Sequence, residues 1–160
     1  MVGQCNPCNE YQLSQRKEPL MTHEIPECPW NRVAMDIFTL ECQDYLITVD
    51  VYSDFWEVDI LPDMTSTIIQ LSKVHFSRYG VPDVVVSDNG GQFGSEEFRS
   101  FARVLEFEHT TTSPYHSQAN GEVESAVTIA KNVIKKAKRS GYDVWKAIFD
   151  WRSTPTENMD

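Results

Sequence analysis

Positive charge is scarce in this sequence. Its 160 residues carry 14 Lys and Arg against 24 Asp and Glu, a formal net charge of −10 at pH 7. Neutralisation of phosphates by Lys and Arg supplies most non-specific affinity for nucleic acid. The chain alone is therefore expected to bind DNA weakly, and acidic composition by itself favours protein or small-molecule partners. Long apolar runs are also missing: the hydrophobic residues are interspersed with charge, and no stretch approaches the roughly 18 apolar residues of a membrane span. The N-terminus has no basic start, apolar middle and small-residue cleavage site, so nothing directs the chain to an oxidising compartment. Its four cysteines are expected to be reduced or metal-bound. Internal repeats and low-complexity segments are absent. What remains is a chain of one-domain length whose 41% hydrophobic content suffices for a core.

Residues 1–29 are rich in Pro, Asn and Glu, with Pro7, Pro19, Pro26 and Pro29 interrupting any long element; they read as a linker or the remnant of an upstream module, and residues 30–160 as the folded domain. From Trp30 the pattern has period two, with Ala34, Asp36 and Phe38 on one face and Val33, Met35 and Ile37 on the other, which predicts a first strand. Tyr45 to Tyr52 and Phe55 to Leu61 predict a hairpin around Ser53-Asp54. Thr65 is a candidate N-cap for a helix carrying Ile68, Ile69, Leu71, Val74, His75 and Tyr79 and stopped by Gly80. Val84-Val85-Val86 is an apolar run typical of a strand buried on both faces, and it leads into the glycine-rich loop Ser87-Asp88-Asn89-Gly90-Gly91. A second helix follows with Phe98, Phe101, Ala102 and Leu105, then a short strand from Glu108 to Thr111 and a loop from Thr112 to Asn120. A long helix from Gly121 buries Val123, Ala126, Ala130, Val133 and Ala137, and a last helix carries Val144, Trp145, Ile148 and Phe149. Three meandering strands followed by helix, strand, helix, strand and helices predict an α/β domain of ribonuclease H-like order, a mixed five-stranded sheet flanked by helices.

Three carboxylates stand out. Asp36 is mid-strand on an apolar face, where an unpaired carboxylate is costly. Asp88 follows a buried strand, and in open α/β sheets sites gather at strand ends; if the two strands are neighbours, the carboxylates converge. Carboxylates held close raise one another's pKa unless a cation neutralises them. Mg²⁺, with its preference for oxygen ligands, answers that need, and a pair of such ions can serve an in-line phosphoryl displacement. Glu124, at the edge of the long helix's apolar stripe, can complete the cage. Lys131 and Lys135 lie seven and eleven residues further on, at nearly the same helical angle, with Thr128 between them. Such a row can handle phosphate, or it can simply complement the helix dipole.

At these residues the chain resembles retroviral integrases and, more closely, those of gypsy-like (Ty3-type) retrotransposons and genes derived from them. The resemblance runs from about Cys5 to Pro155. It rests on Pro29-Trp30 leading to Met35-Asp36, on Val49-Asp50-Val51-Tyr52-Ser53, on Gly80-Val81-Pro82 before Ser87-Asp88-Asn89-Gly90-Gly91-Gln92-Phe93, on Ser113-Pro114-Tyr115-His116, and on Asn120-Gly121-Glu122-Val123-Glu124. Asp88 and Glu124 are separated by 124 − 88 − 1 = 35 residues, the spacing of the family's Asp-Asp-35-Glu motif. No single piece decides, since Asp-Asn-Gly is an ordinary turn sequence; their order and spacing together do.

The resemblance implies a metal-dependent polynucleotidyl transferase in which Asp36, Asp88 and Glu124 hold two Mg²⁺ or Mn²⁺ ions, water cuts near an element's DNA end, and the freed 3′-hydroxyl attacks target DNA. It also implies DNA contacts at Tyr115, His116, Asn120 and Lys131, to which the helical row adds Lys135, a homodimer or higher oligomer formed through the last helix and the first, and a nuclear site of action with cytoplasmic passage. Ser117 stands where the family usually has proline, which puts detailed loop contacts in doubt. Asp50 is expected to be a structural hydrogen-bonding residue, and His75 and His109 core or surface residues. Cys5 and Cys8 match the second half of an N-terminal His-His-Cys-Cys zinc module whose histidine pair is missing; His23 and Cys28 are a weaker way to close such a site, and no ordered zinc is expected. The family continues beyond this span into a DNA-binding domain, so the chain is expected to be an excised core or a truncated derivative, with basic surface elsewhere. Two rivals remain: a domesticated, catalytically inactive DNA- or protein-binding module, and another ribonuclease H-like nuclease or transposase.

Overall fold

The computed structural model describes residues 27–62, 66–111 and 117–155, the side chains of residues 117–120 excepted. Strands β1 (Arg32–Leu40), β2 (Gln43–Asp50) and β3 (Trp56–Leu61) are followed by helix α1 (Ser66–Tyr79), β4 (Val84–Ser87), α2 (Glu96–Leu105), β5 (Glu108–Thr111), α3 (Ser117–Ser140) and α4 (Val144–Ser153). The five strands form one sheet in the order β3-β2-β1-β4-β5. The meander β1 to β3 is antiparallel, while β4 and β5 run parallel to β1. This is the mixed five-stranded sheet flanked by helices that the sequence predicts.

Period-two alternation divides the strands between two cores. Val33, Met35 and Leu46 point to one face, where α1 and α2 supply Ile68, Phe76, Phe98 and Phe101. Phe38, Ile47, Val49 and Trp56 point to the other, where α3 and α4 supply Ala126, Ala130, Ile134 and Ile148. The small Ala126 and Ala130 let α3 approach the sheet closely, and both are buried. The phenylalanines of α2 pack edge to face with Phe107, Phe98 and Phe101 each doing so, a geometry that adds to their burial.

Several boundaries differ from the sequence expectations. The first strand begins at Arg32, because Trp30 adopts a left-handed φ of 65°; its N–H donates to Asp50 Oδ1 and its indole to the Gly80 carbonyl. The long helix begins at Ser117 and runs through Gly121, which as a helix breaker suggests a start but is only weakly unfavourable once packing elsewhere holds the helix. In α1, Val74 and Tyr79 are exposed while Ser72 and Phe76 are buried, a shift of the buried face from the residues that periodicity picks. Thr65, as a candidate N-cap, lies outside the described residues. No helix among the described residues is long and apolar enough to cross a membrane.

Candidate active site

The pairing of β1 with β4 brings two of the acids together. Ala34 pairs with Val86 and Met35 with Ser87 in parallel register, so Asp36 and Asp88 are the next residues on adjacent strands. Alternation puts Asp36 on the sheet face covered by α3, between Ala34 and Phe38 and opposite Ile47 of β2. Its Oδ1 accepts from the Ile37 N–H at 2.8 Å. Burial pushes the Asp36 carboxyl above its ordinary range. The Ile37 N–H opposes that shift, the charge of Asp88 adds to it, Lys131 opposes it and Glu124 adds to it. Two further negative groups thus act on this half-buried strand position.

Asp88 is exposed just past the end of β4, and its Oδ1 accepts from the Gly90 N–H at 3.0 Å. A Cβ on residue 90 would lie 2.9 Å from Asp88 Oδ1 and 3.2 Å from Gln92 Oε1, so any larger residue displaces these side-chain ends. Glu124 is exposed near the start of α3, where its carbonyl accepts from Thr128 Oγ1 at 2.9 Å. Lys131, almost two turns further on, lays its ammonium 5.5 Å from the Phe38 ring centroid. Lys135 is exposed, and its charge is not among those that act on Asp36.

The donor set is all oxygen, which suits a hard divalent cation. Among the described residues, no group of three or more His, Cys, Asp or Glu side chains is already drawn together tightly enough to hold one. Asp36 and Asp88 nevertheless fit the demand: adjacent strand ends, one half-buried carboxyl, and a second carboxylate held by the Gly90 N–H.

Residues 26–117 match the model of the integrase core domain. The chain belongs to that family. An uncharacterized protein of Caenorhabditis elegans is 32% identical over 97% of the chain, and the Gag-Pro-Pol polyprotein of simian retrovirus SRV-1 is 31% identical over 58%. The chain spans 13% of the first and 5% of the second. The catalytic core domain of BIV integrase superposes with a TM-score of 0.63 at 22% identity, over 74% of this chain and 78% of that one. That likeness establishes the ribonuclease H-like fold.

Within this integrase core domain the other residues singled out from sequence fall as follows. Tyr115 and His116 lie outside the described residues, and of Asn120 only its place in α3 is described. Cys5, Cys8 and His23 also lie outside them; Cys28 is exposed with a free thiol, as is Cys42. Asp50 is buried on the sheet face opposite Asp36 and accepts from the N–H groups of Trp30 and Tyr52 and from Ser53 Oγ, the structural role expected of it. His75 is buried in α1 with Nε2 2.6 Å from Asp59 Oδ2. His109, in β5, sits 2.8 Å from Ser87 Oγ, and burial, reinforced by the charge of Arg99, lowers its pKa.

Sequence reasoning missed Glu122. Its Oε2 is buried without a hydrogen-bond partner, and burial, with a smaller contribution from the charge of Asp54, raises its pKa. Two residues along a helix turn the direction by about 200°, so Glu122 faces away from Glu124. The Glu-Val-Glu spacing itself is the sequence feature that implies opposite faces.

Proposed function

We propose that this chain is the catalytic core of a DNA integrase, a polynucleotidyl transferase that processes the 3′ ends of a mobile element and joins them to target DNA. The observation that carries the reading is the adjacency of Asp36 and Asp88 at the ends of neighbouring parallel strands, on the face where α3 presents Glu124 and Lys131 within electrostatic reach of Asp36. Asp36, Asp88 and Glu124 would hold Mg²⁺ or Mn²⁺, two ions per site. Bound there, the ions supply charge neutralisation and activation of an oxygen nucleophile. The protein's own part is positional. The strand register fixes the first two carboxylates, Gly90 keeps Asp88 in place, and Glu124 closes the set as the repulsion among the acids is relieved. Lys131, held against Phe38, places a cation beside the scissile phosphate, and Lys135 one turn on contacts the DNA backbone. Water is the nucleophile in end processing, where a P–OH bond forms as the P–O3′ bond breaks and the leaving oxygen takes a proton to become a free 3′-hydroxyl; that hydroxyl is the nucleophile in joining, where a new phosphodiester forms as a target P–O3′ bond breaks.

Family membership supports the reaction class, and the reading extends to a chain that acts on element ends and target DNA in the nucleus as a homodimer or larger assembly. Residues 30–160 form the core, with residues 1–29 a linker or remnant that binds zinc only where an upstream module is intact. A disintegration or strand-transfer assay with Mn²⁺ tests it. Asp88→Asn is expected to lower the joining rate by at least about 100-fold. Equal rates in wild type and variant would remove the triad, and absence of joined product from both would favour a domesticated binding module. A cut without joining would favour a simple nuclease.

A further inference from the structure

On the same side of the sheet as α3, but turned away from Glu124, an open pocket of about 840 Å³ lies between the β2–β3 turn, the start of α3 and the end of α4. Val49, Phe55, Trp56, Ile129 and Trp151 give it apolar and aromatic walls. Two carboxylates, Asp54 and Glu122, line it as well. Glu122 Oε2 is buried there with no hydrogen-bond partner, and so is the indole N–H of Trp56, a residue only 2% exposed. Both residues line the pocket, and an orphaned carboxylate oxygen and an orphaned donor each carry a desolvation cost. The one cation in the wall among the described residues is already engaged. Arg152 lies 4.7 Å from the Phe55 ring centroid and donates to the Trp56 carbonyl and to Glu57.

We propose that this pocket receives a Lys or Arg side chain of a partner protein, its cation paired with Glu122 and its aliphatic stem laid against the aromatic wall. Charge complementarity identifies the occupant. The pocket holds two acidic groups whose wall cation is spent on other partners, and the whole chain at −10 draws basic partners toward it. A wholly apolar guest would leave Glu122 unpaired, and an acidic guest would meet both carboxylates. The site is independent of the proposed catalytic reaction.

The test is a titration of the ¹⁵N-labelled chain, following the Trp56 indole N–H resonance, assigned through Trp56→Phe. The probes are N-acetyl-lysine methylamide, N-acetyl-arginine methylamide and, as uncharged control, N-acetyl-norleucine methylamide. The basic probes are expected to give saturable shifts with Kd on the order of 1 mM. Glu122→Gln should weaken them about tenfold or more, with a thermal unfolding curve verifying that the variant folds. Asp54→Asn, on an exposed turn, should weaken them by less. Norleucine binding as strong as lysine would overturn the proposal by showing a merely apolar pocket. A Trp56 indole that no probe shifts would overturn it too, because the chain itself would then fill the site.

Discussion

Gly90 and His109 show how single residues on either side of Asp88 serve the site differently. A methyl group on residue 90 collides with the end of the Asp88 side chain at 2.9 Å, and a side-chain end can swing aside at little cost to the fold. It cannot swing and stay aligned with Asp36. Gly90→Ala is therefore expected to change Tm by less than about 2 °C while lowering Mn²⁺-dependent activity about tenfold or more, since misplacement by a fraction of an ångström is expensive in catalysis; a variant of unchanged activity would mean that Asp88 is not positioned by this cradle. His109 bears on stability. Its folded pKa lies below the unfolded value near 6.5 because burial disfavours the cation, helped by Arg99. The unfolded chain therefore takes up the proton first, so His109's contribution is complete above about pH 6.5 and is lost as pH falls through the lower folded value. His109→Gln should flatten the decline of Tm between about pH 7 and 5, and a parallel decline in both proteins would refute it.

At the scale of elements, α3 and α4 divide the work. The buried face of α3 lies against Phe38 and Ile47, while Glu124 and Lys131 occupy its site-facing edge. Helix α4 buries only Ile148 fully and leaves Trp145 51% and Phe149 66% exposed. Such aromatic surface suits a protein interface. Phe149→Ser is expected to leave the fold intact and to shift a dimer toward monomer in light scattering. Wild type that stays monomeric at high concentration would refute the dimer. Much at this scale is legible in sequence: the period-two pattern around Asp36 gives both its strand and its face, and Phe98, Phe101, Ala102 and Leu105 give α2, which Ser95 caps with Oγ accepting from Phe98 N–H. Other features depend on tertiary contacts that no local pattern carries. His75 gains its meaning from Asp59, sixteen residues away on β3. Glu122 reads as a polar residue on a helix until the β2–β3 turn and the end of α4 enclose it. The start of α3 is hidden because Gly121 resembles a boundary.

For the whole molecule, the sheet order β3-β2-β1-β4-β5 explains how acids 52 residues apart, 88 − 36, become neighbours. Two adjacent strands in parallel register end together, and the long helix crosses the same face. The sequence shows the acids and their spacing; only the register shows that the first two meet. It also shows that Glu124 stands within electrostatic reach of Asp36 without a finished ligand cluster among the described residues. On the proposed reading, a net charge of −10 gives divalent cations more to do, because they would offset both the acids and the phosphates of a bound nucleic acid. The central claim is that Asp36 and Asp88 form a divalent metal site. The most direct measurement is anomalous diffraction from crystals of the chain soaked in Mn²⁺. A Mn²⁺ peak bridging the two carboxylates, lost in Asp36→Asn, is the predicted result; carboxyl groups too far apart to share an ion, with no peak between them, would contradict it.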